Sequence, residues 1–298
     1  MHPRNRHRGR YDLERLCQGS PELRPFVRPS PAGEPTVDFA DPAAVAALNR
    51  ALLREYYGVP DWRIPPGYLC PPVPGRADYI HHAADLLAGA GEVPRGDAVR
   101  VLDMGVGANA IYPIIGRREY GWSFVGVDAD PVALESARAI VASTPGLEGG
   151  VELRLQRRAA RTLEGALVPG ERFDLTVCNP PFHASPAEAD AAARRKRRGL
   201  GQAADAPRNF AGRATELCFP GGEDAFIRSL IEESAAAPRA ALWFTSLVSK
   251  AENLADLERA ARKAGAVETR VVPMGQGRKV SRFLAWTFER QELPPGHR

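Results

Sequence analysis

The chain has 298 residues, 44% of them hydrophobic and 26% charged, with 40 basic against 36 acidic side chains and a formal net charge of +4. This composition excludes a disordered, collagen-like or disulfide-stapled chain and is ample for one large core. No run approaches the roughly 20 apolar residues of a membrane helix, no secretory h-region follows the basic start, and the four cysteines (Cys17, Cys70, Cys178, Cys218) form no C-x-x-C pair, so reduced thiols in a cytoplasmic, metal-free protein are expected.

Residues 1–35 are rich in Arg, Pro and Gly and poor in periodic apolar positions, and read as a basic, flexible arm with one short turn over 11–16. Asp41-Pro42 opens a helix to about Tyr57, with Asp41 as cap and Pro42 in the first turn. The stretch 60–75 is too rich in proline for regular structure. A second helix is predicted over 76–89, with Ile80, Ala83, Ala84 and Leu87 on one stripe. His81 and His82 lie on it without a metal-spaced partner and are read as structural.

From Ala98 the pattern alternates. Strands are predicted at 99–104, 123–127, 151–155, 173–178, 239–245, 267–272 and 283–288. Helices are predicted at 108–118, 131–143, 187–195, 222–236 and 251–264. Such alternation forces a mostly parallel sheet covered on both faces. The last two strands are joined by too short a link for a helix and must form an antiparallel hairpin. This α/β plan resembles the class I S-adenosylmethionine-dependent methyltransferase fold: Rossmann-like, seven-stranded, with a terminal hairpin. The division expected is an arm over 1–35, a helical segment over 36–90 contributing to the cofactor and RNA site, the main domain over 91–290 and a tail over 291–298. Trp122, Trp243 and Trp286 fall in or beside strands and are read as core.

Three features carry chemistry. Gly105-Val106-Gly107 follows the first strand, where ligands of open α/β sheets bind. Glycine there lets the backbone approach a ligand closely. The third glycine of the pyrophosphate fingerprint is replaced by Ala110, which favours a ligand without phosphates. Asp103 ends that strand and can accept the amino group of a methionine moiety. Asp128 ends the second strand, where an acid can hold both ribose hydroxyls. Asp130 caps the next helix.

Asn179-Pro180-Pro181-Phe182 follows the fourth strand and is the sharpest signal. An exocyclic amine on an aromatic ring is a poor nucleophile, because its lone pair is delocalised. The Asn179 side-chain carbonyl and the Pro180 main-chain carbonyl can each accept one N–H, aiming the lone pair at an electrophilic methyl. Pro181 stiffens the turn, and Phe182 offers a face to the base. The same tetrapeptide serves enzymes that methylate a glutamine amide. The run Arg194, Arg195, Lys196, Arg197, Arg198, with Arg208, Arg213 and the basic start (Arg4, Arg6, Arg8, Arg10), favours a phosphate backbone.

Taken together, Pro72–Pro74 with Gly75-Arg76-Ala77-Asp78-Tyr79-Ile80-His81, Leu102–Pro113, Cys178–His183, Arg195–Arg198, Trp243–Ser249, Gly275-Gln276-Gly277 and Ser281-Arg282-Phe283 resemble the bacterial 23S ribosomal RNA adenine-N6 methyltransferases. A eukaryotic relative of that family methylates the small nuclear RNA of the spliceosome and a messenger hairpin. The resemblance spans about residues 35–290. It implies that Arg76 contacts the carboxylate of S-adenosylmethionine and Gly105 its methionine portion, that Asp128 holds the ribose, that Thr162 borders the adenine and that Asn179 serves cofactor and amine. Two departures are an Asp at the ribose position, where Glu is common, and a longer, more basic start. The substrate implied is one specific adenine of 23S ribosomal RNA, free or partly assembled because the base must leave its stack, methylated by a monomer. A protein-glutamine methyltransferase and a non-catalytic RNA-binding module of the same fold are the alternatives.

Overall fold

The computed structural model describes residues 1–158, 161–199, 212, 214–276 and 279–290. Helix α1 (Leu13–Gly19) starts at Asp12, whose carboxylate accepts the Arg15 amide at 3.0 Å. A 3₁₀ turn (Pro21–Phe26) leads to β1 (Val27–Pro29), which pairs antiparallel with β2 (Pro35–Val37). Helix α2 (Pro42–Tyr57) has the ends its sequence predicts: the Asp41 carboxylate accepts the Ala43 amide at 2.8 Å and Gly58 closes it in a left-handed turn. Helix α3 (Val73–Ala88) begins ahead of the predicted start, because Pro74 suits a first turn that needs no amide donor.

The segment expected to be a flexible arm is folded onto α2 and α3. His2, Asn5 and His7 are buried. The His2 amide donates to Asp78 at 2.6 Å and its ring meets Asp85 at 2.7 Å. Arg4 donates to the Tyr120 hydroxyl at 2.9 Å and to the His81 carbonyl at 3.0 Å. Asn5 donates to the Pro74 carbonyl at 3.0 Å, and His7 shares a hydrogen bond of 2.9 Å with the Tyr57 hydroxyl. Leu13, Leu16 and Leu23 cover an apolar face of α2. Composition presented these arginines as a flexible basic arm facing phosphates. In the fold Arg4 faces Asp85, and Arg6 faces Glu119 at 2.8 Å. His81 is structural, as expected: its Nδ1 contacts the Tyr120 hydroxyl at 2.7 Å and its ring stacks on His2. Burial, then the charges of His2 and Arg4, push it down to about 3.

The remaining elements follow in the order β3 (Arg100–Met104), α4 (Ile111–Tyr120), β4 (Ser123–Asp128), α5 (Pro131–Ser143), β5 (Val151–Leu155), β6 (Phe173–Cys178), α6 (Pro186–Gly199), α7 (Ala214–Leu217), α8 (Gly222–Ala236), β7 (Ala241–Leu247), α9 (Leu254–Lys263), β8 (Glu268–Gln276) and β9 (Lys279–Thr287). The sheet order is β5-β4-β3-β6-β7-β9-β8. β3 pairs in parallel with both β4 and β6, so the direction of winding reverses between β3 and β6. β9 runs antiparallel to β7 and β8. This is the class I methyltransferase architecture that the alternation predicts.

Successive strand residues point to opposite faces, and each face has its own core. Val101, Trp243 and Phe283 pack towards α3, α4 and α5, while Leu102, Phe244 and Leu284 pack towards α8 and α9. Trp122, Trp243 and Trp286 are fully buried. The tail 291–298, with Arg208, Arg213 and Gly277, lies outside the described residues.

Gly116 on α4 shows how tightly the first core is packed. A Cβ there would stand 2.3 Å from Cζ of Phe124. Overpacking of that kind costs about 1–3 kcal/mol, against about 1 kcal/mol gained in helix propensity. Gly116→Ala is therefore expected to lower the urea midpoint at unchanged slope; an unchanged or raised midpoint would show that Phe124 moves aside freely.

Candidate active site

Three strand ends and one helix converge at the reversal point of the sheet. β3 delivers Asp103, Gly105 and Gly107; β4 delivers Asp128; β6 delivers Asn179; α3 delivers Arg76. Gly105 and Gly107 have φ of 81° and 62°, a region an L side chain rarely enters. A Cβ on Gly107 would also stand 3.1 Å from Asn109 Nδ2, whereas one on Gly105 would meet nothing within 4 Å. Gly105 thus opens onto free space. Arg76, Gly105, Gly107, Asp128 and Asn179 line a cavity of about 290 Å³ together with Tyr112, Thr162, Pro181, Glu216, Phe219 and Phe226, while Asp103 is buried behind that lining.

Asp128 accepts the Gly107 amide through Oδ2 and the Asp130 amide through Oδ1, each at 2.9 Å. Its carboxylate is thereby aimed across the glycine turn, with lone pairs left over for a diol. Burial raises its pKa, and the two amides oppose the rise. Asp130 accepts the Val132 amide at 2.9 Å as the cap of α5 and the Tyr68 hydroxyl at 2.7 Å. Asn109 sits under the same turn: its carbonyl accepts the Trp62 indole N–H at 3.0 Å. Ala110, where the fingerprint has glycine, is held at φ 47°, a conformation that costs an L residue roughly 1–2 kcal/mol.

Asp103 is 1% exposed, and neither of its carboxylate oxygens has a hydrogen-bond partner among the described residues. Burial, then the charge of Asp128, push its pKa far up; Arg76 opposes them. Arg76 is itself 9% exposed. From Nη1 it donates to the Tyr112 hydroxyl and to Asn179 Oδ1, both at 2.9 Å, so both partners are neutral. Thr162 is buried with its hydroxyl unpartnered among the described residues. Its loop is gripped by Glu233 of α8, which accepts the amides of Thr162, Leu163 and Glu164 at 3.1, 2.7 and 2.8 Å. A buried acid, a buried guanidinium, an acid facing a glycine turn and an orphan hydroxyl fit a ligand with an ammonium, a carboxylate, a vicinal diol and a planar ring.

Of the Asn-Pro-Pro-Phe turn, Asn179 and Pro181 line the cavity. Pro180 is buried and Phe182 half-buried, and neither is part of that lining. His183 is bridged to the 217–219 segment: its amide donates to the Leu217 carbonyl at 2.9 Å and its carbonyl accepts the Phe219 amide at 3.0 Å. That bridge brings Phe219, in edge contact with Phe226, to the cavity wall. Neither aromatic carried a sequence signal. Glu216 reaches the cavity rim and accepts the Leu69 amide at 3.0 Å. Arg194 is exposed on α6; the side chains of Arg195, Lys196, Arg197 and Arg198 lie outside what is described.

The family described as RNA methyltransferase matches residues 1–290. The chain is 54% identical over 297 residues to the ribosomal RNA large subunit methyltransferase F of Serratia proteamaculans (strain 568), covering 98% of this chain and 88% of that protein. It is 54% identical over 293 residues to the protein of that name from Escherichia coli O1:K1 / APEC, with 98% and 94% covered. Among solved structures it is similar to the hMettl16 catalytic domain in complex with MAT2A 3'UTR hairpin 1, at 30% identity, TM-score 0.83, with 100% and 99% covered. It is also similar to the N-terminal domain of human METTL16 in complex with SAH, at 28% identity, TM-score 0.76, with 97% and 99% covered.

The Asp103 carboxyl makes a prediction about the ligand-free protein. When folded it keeps its proton to a pH well above the ordinary carboxylate value of 3.8; the unfolded chain releases it there. The wild type therefore loses stability as pH rises from about 4. Asp103→Asn is expected to be the more stable protein at neutral pH, with the difference in melting temperature growing from pH 4 upward. A variant less stable than wild type at neutral pH would show that Asp103 is paired.

Proposed function

The chain belongs to the RNA methyltransferase family, and we propose that it moves a methyl group from S-adenosylmethionine to N6 of one specific adenine in 23S ribosomal RNA. The observation that carries this reading is the meeting of Arg76, Asp128 and Asn179 around one cavity, where Arg76 touches Asn179 itself and the buried Asp103 feels the charges of Asp128 and Arg76. S-adenosylmethionine, when bound, supplies an electrophilic methyl group on a sulfonium. Asp103 would hold its ammonium, Arg76 its carboxylate and Asp128 its ribose hydroxyls, with Thr162 beside the adenine.

Asn179 and Pro180 then act on the nucleophile. Their two carbonyls accept the two amine hydrogens, and the nitrogen lone pair is left facing the methyl group. No base is needed before transfer, because an N-alkylated aromatic ammonium is acidic and sheds its proton readily. Phe182 offers the base a stacking face. Helix α6 follows the turn in the chain and carries Arg194, Arg195, Lys196, Arg197 and Arg198 towards its end, the run that we read as meeting phosphates. A base that must leave its stack is reached most cheaply in RNA that is free or only partly assembled, since unstacking costs a few kcal/mol.

The decisive experiment supplies labelled cofactor and 23S RNA from a strain lacking the enzyme, protein-depleted or as mature subunits, and maps the label. Label on a single adenine, more of it in the depleted RNA, is expected; label on a protein glutamine, or none on the RNA, would overturn the reading. Asn179→Ala is expected to lower turnover by about 10²-fold or more, the scale of losing alignment at a reacting atom, while calorimetry still detects S-adenosylhomocysteine. Neutralising Arg194, Arg195, Lys196, Arg197 and Arg198 together is expected to weaken RNA binding and flatten its salt dependence by up to about 0.7–0.9 per charge removed. An unchanged salt slope would detach the run from RNA.

A further inference from the structure

A chain of hydrogen bonds with a single direction runs beneath the Asn179-Pro180 turn. Thr245 Oγ1 donates to the Thr176 carbonyl at 2.6 Å. A hydroxyl has one hydrogen, so the 2.6 Å contact between Thr245 Oγ1 and the Tyr79 hydroxyl is a donation from Tyr79. The Tyr79 oxygen in turn accepts the Cys178 amide at 3.3 Å. The Thr245 amide donates to Thr176 Oγ1 at 3.0 Å, closing the group. Tyr79, Thr176, Cys178 and Thr245 are all fully buried. Burial also pushes the Tyr79 phenol far up, so it stays protonated and keeps its donor role.

These bonds stand at a particular place in the sheet. The β6–β7 ladder is registered at Phe173↔Ala241 and Leu175↔Trp243. Beyond Leu175, β6 is held on that side by side chains from α3 and β7. On the other side Met104 of β3 pairs with Cys178. The last residue of β6 is thus fixed from both flanks, and the next residue is Asn179. A planar peptide leaves only two soft dihedrals between the Cys178 amide and the Asn179 nitrogen.

We propose that Tyr79 is a positioning residue for methyl transfer: its hydroxyl, through Cys178, sets where Asn179 and Pro180 present their carbonyls. This rests on the reading of those carbonyls as acceptors of the target amine. Tyr79 lies one helical turn beyond Arg76, so α3 reaches the Asn179 segment twice. Its ring is wedged against Tyr112 in edge contact and against Phe283, with centroids 5.4 and 5.0 Å away. The ring therefore stays in place when the hydroxyl is removed.

Tyr79→Phe in the full chain is the test, read in three ways. Single-turnover transfer to protein-depleted 23S RNA is expected to slow by about tenfold or more, with KM for RNA and affinity for S-adenosylhomocysteine within about twofold. Deuterium exchange of the peptide spanning 177–182 is expected to rise. In an Asn179→Ala background the same substitution is expected to subtract clearly less than it does in the wild type, because its effect through Asn179 is already lost and only that through the Pro180 carbonyl remains. Thr245→Ser, which keeps the donor, is expected to match wild type. A normal rate with unchanged exchange would overturn the proposal, as would a full additional loss in the double variant, the sign of a merely structural role. Raised exchange in Tyr79→Phe beside a wild type that transfers nothing to RNA would overturn the substrate reading and leave the support of the turn standing.

Discussion

The buried guanidinium of Arg76 is the contact on which the site depends. It is almost wholly removed from water and finds only neutral oxygens, those of Tyr112 and Asn179. Taking a cation out of water costs several kcal/mol unless an opposite charge repays it. Asp103 is in the mirror position: a buried acid whose oxygens have no hydrogen-bond partner among the described residues. Arg76 lines the cavity and acts on the buried Asp103 through its charge alone, and neither has an oppositely charged group as a hydrogen-bond partner. What destabilises the ligand-free protein is, on the proposed assignment of Arg76 and Asp103, complementarity to a zwitterionic amino-acid moiety. A ligand missing either charge leaves one of these groups unpaired, which is how such a cavity discriminates.

Connectivity explains why the acids and the amide meet. β3, β4 and β6 are parallel neighbours, so their carboxyl ends lie on one edge, at the point where winding reverses. Asp103, Asp128 and Asn179 are placed there by the fold alone. Arg76 is not. It belongs to α3, ahead of the alternating part, and enters because α3 packs across β6 and α4. Leu69, Pro71 and Arg76, all ahead of the alternating part, therefore line the cavity while α3 also covers the sheet. The wall opposite is finished by longer-range devices: Glu233 gathering three amides of the Thr162 loop, and the His183 bridge that carries Phe219 inward.

Sequence logic reached those parts whose cause is local. The strand-helix alternation, the Asp41 and Asp130 caps, the glycine turn and the placement of Asn179 after a buried strand each follow from a few adjacent residues, and all stand where the pattern put them. It missed parts whose cause is a distant neighbour. The first residues looked like a flexible arm because arginine-rich composition says nothing of Asp78, Asp85 and Glu119, which lie far along the chain and receive them. Tyr112 reads as an ordinary aromatic on an amphipathic helix until Arg76 reaches its hydroxyl. Phe219 and Phe226 carry no periodic signal for a cavity wall. Phe182, singled out by its motif, is half-buried and outside the cavity lining, which leaves its stacking role to the base and not to the cofactor cavity.

Helix α3 ties these observations together through its period. At 3.6 residues per turn, Arg76, Tyr79, Ile80 and Ala83 lie on one side, while Asp78, His81, His82 and Asp85 lie on the other. The first side meets the Asn179 segment and the sheet core; the second receives His2, Arg4 and Asn5. A rigid rod clamped from both sides has little freedom to rotate, and rotation is the motion that would carry Arg76 off Asn179 and Tyr79 off Cys178 together. The amino-terminal segment therefore bears on the site without touching the cavity. Burial pushes the His7 ring down to about 4, and Arg4 and Arg6 of the clamp face Asp85 and Glu119. The charge of Arg76 is left at the cavity wall, on a helix held in register by contacts on its far side.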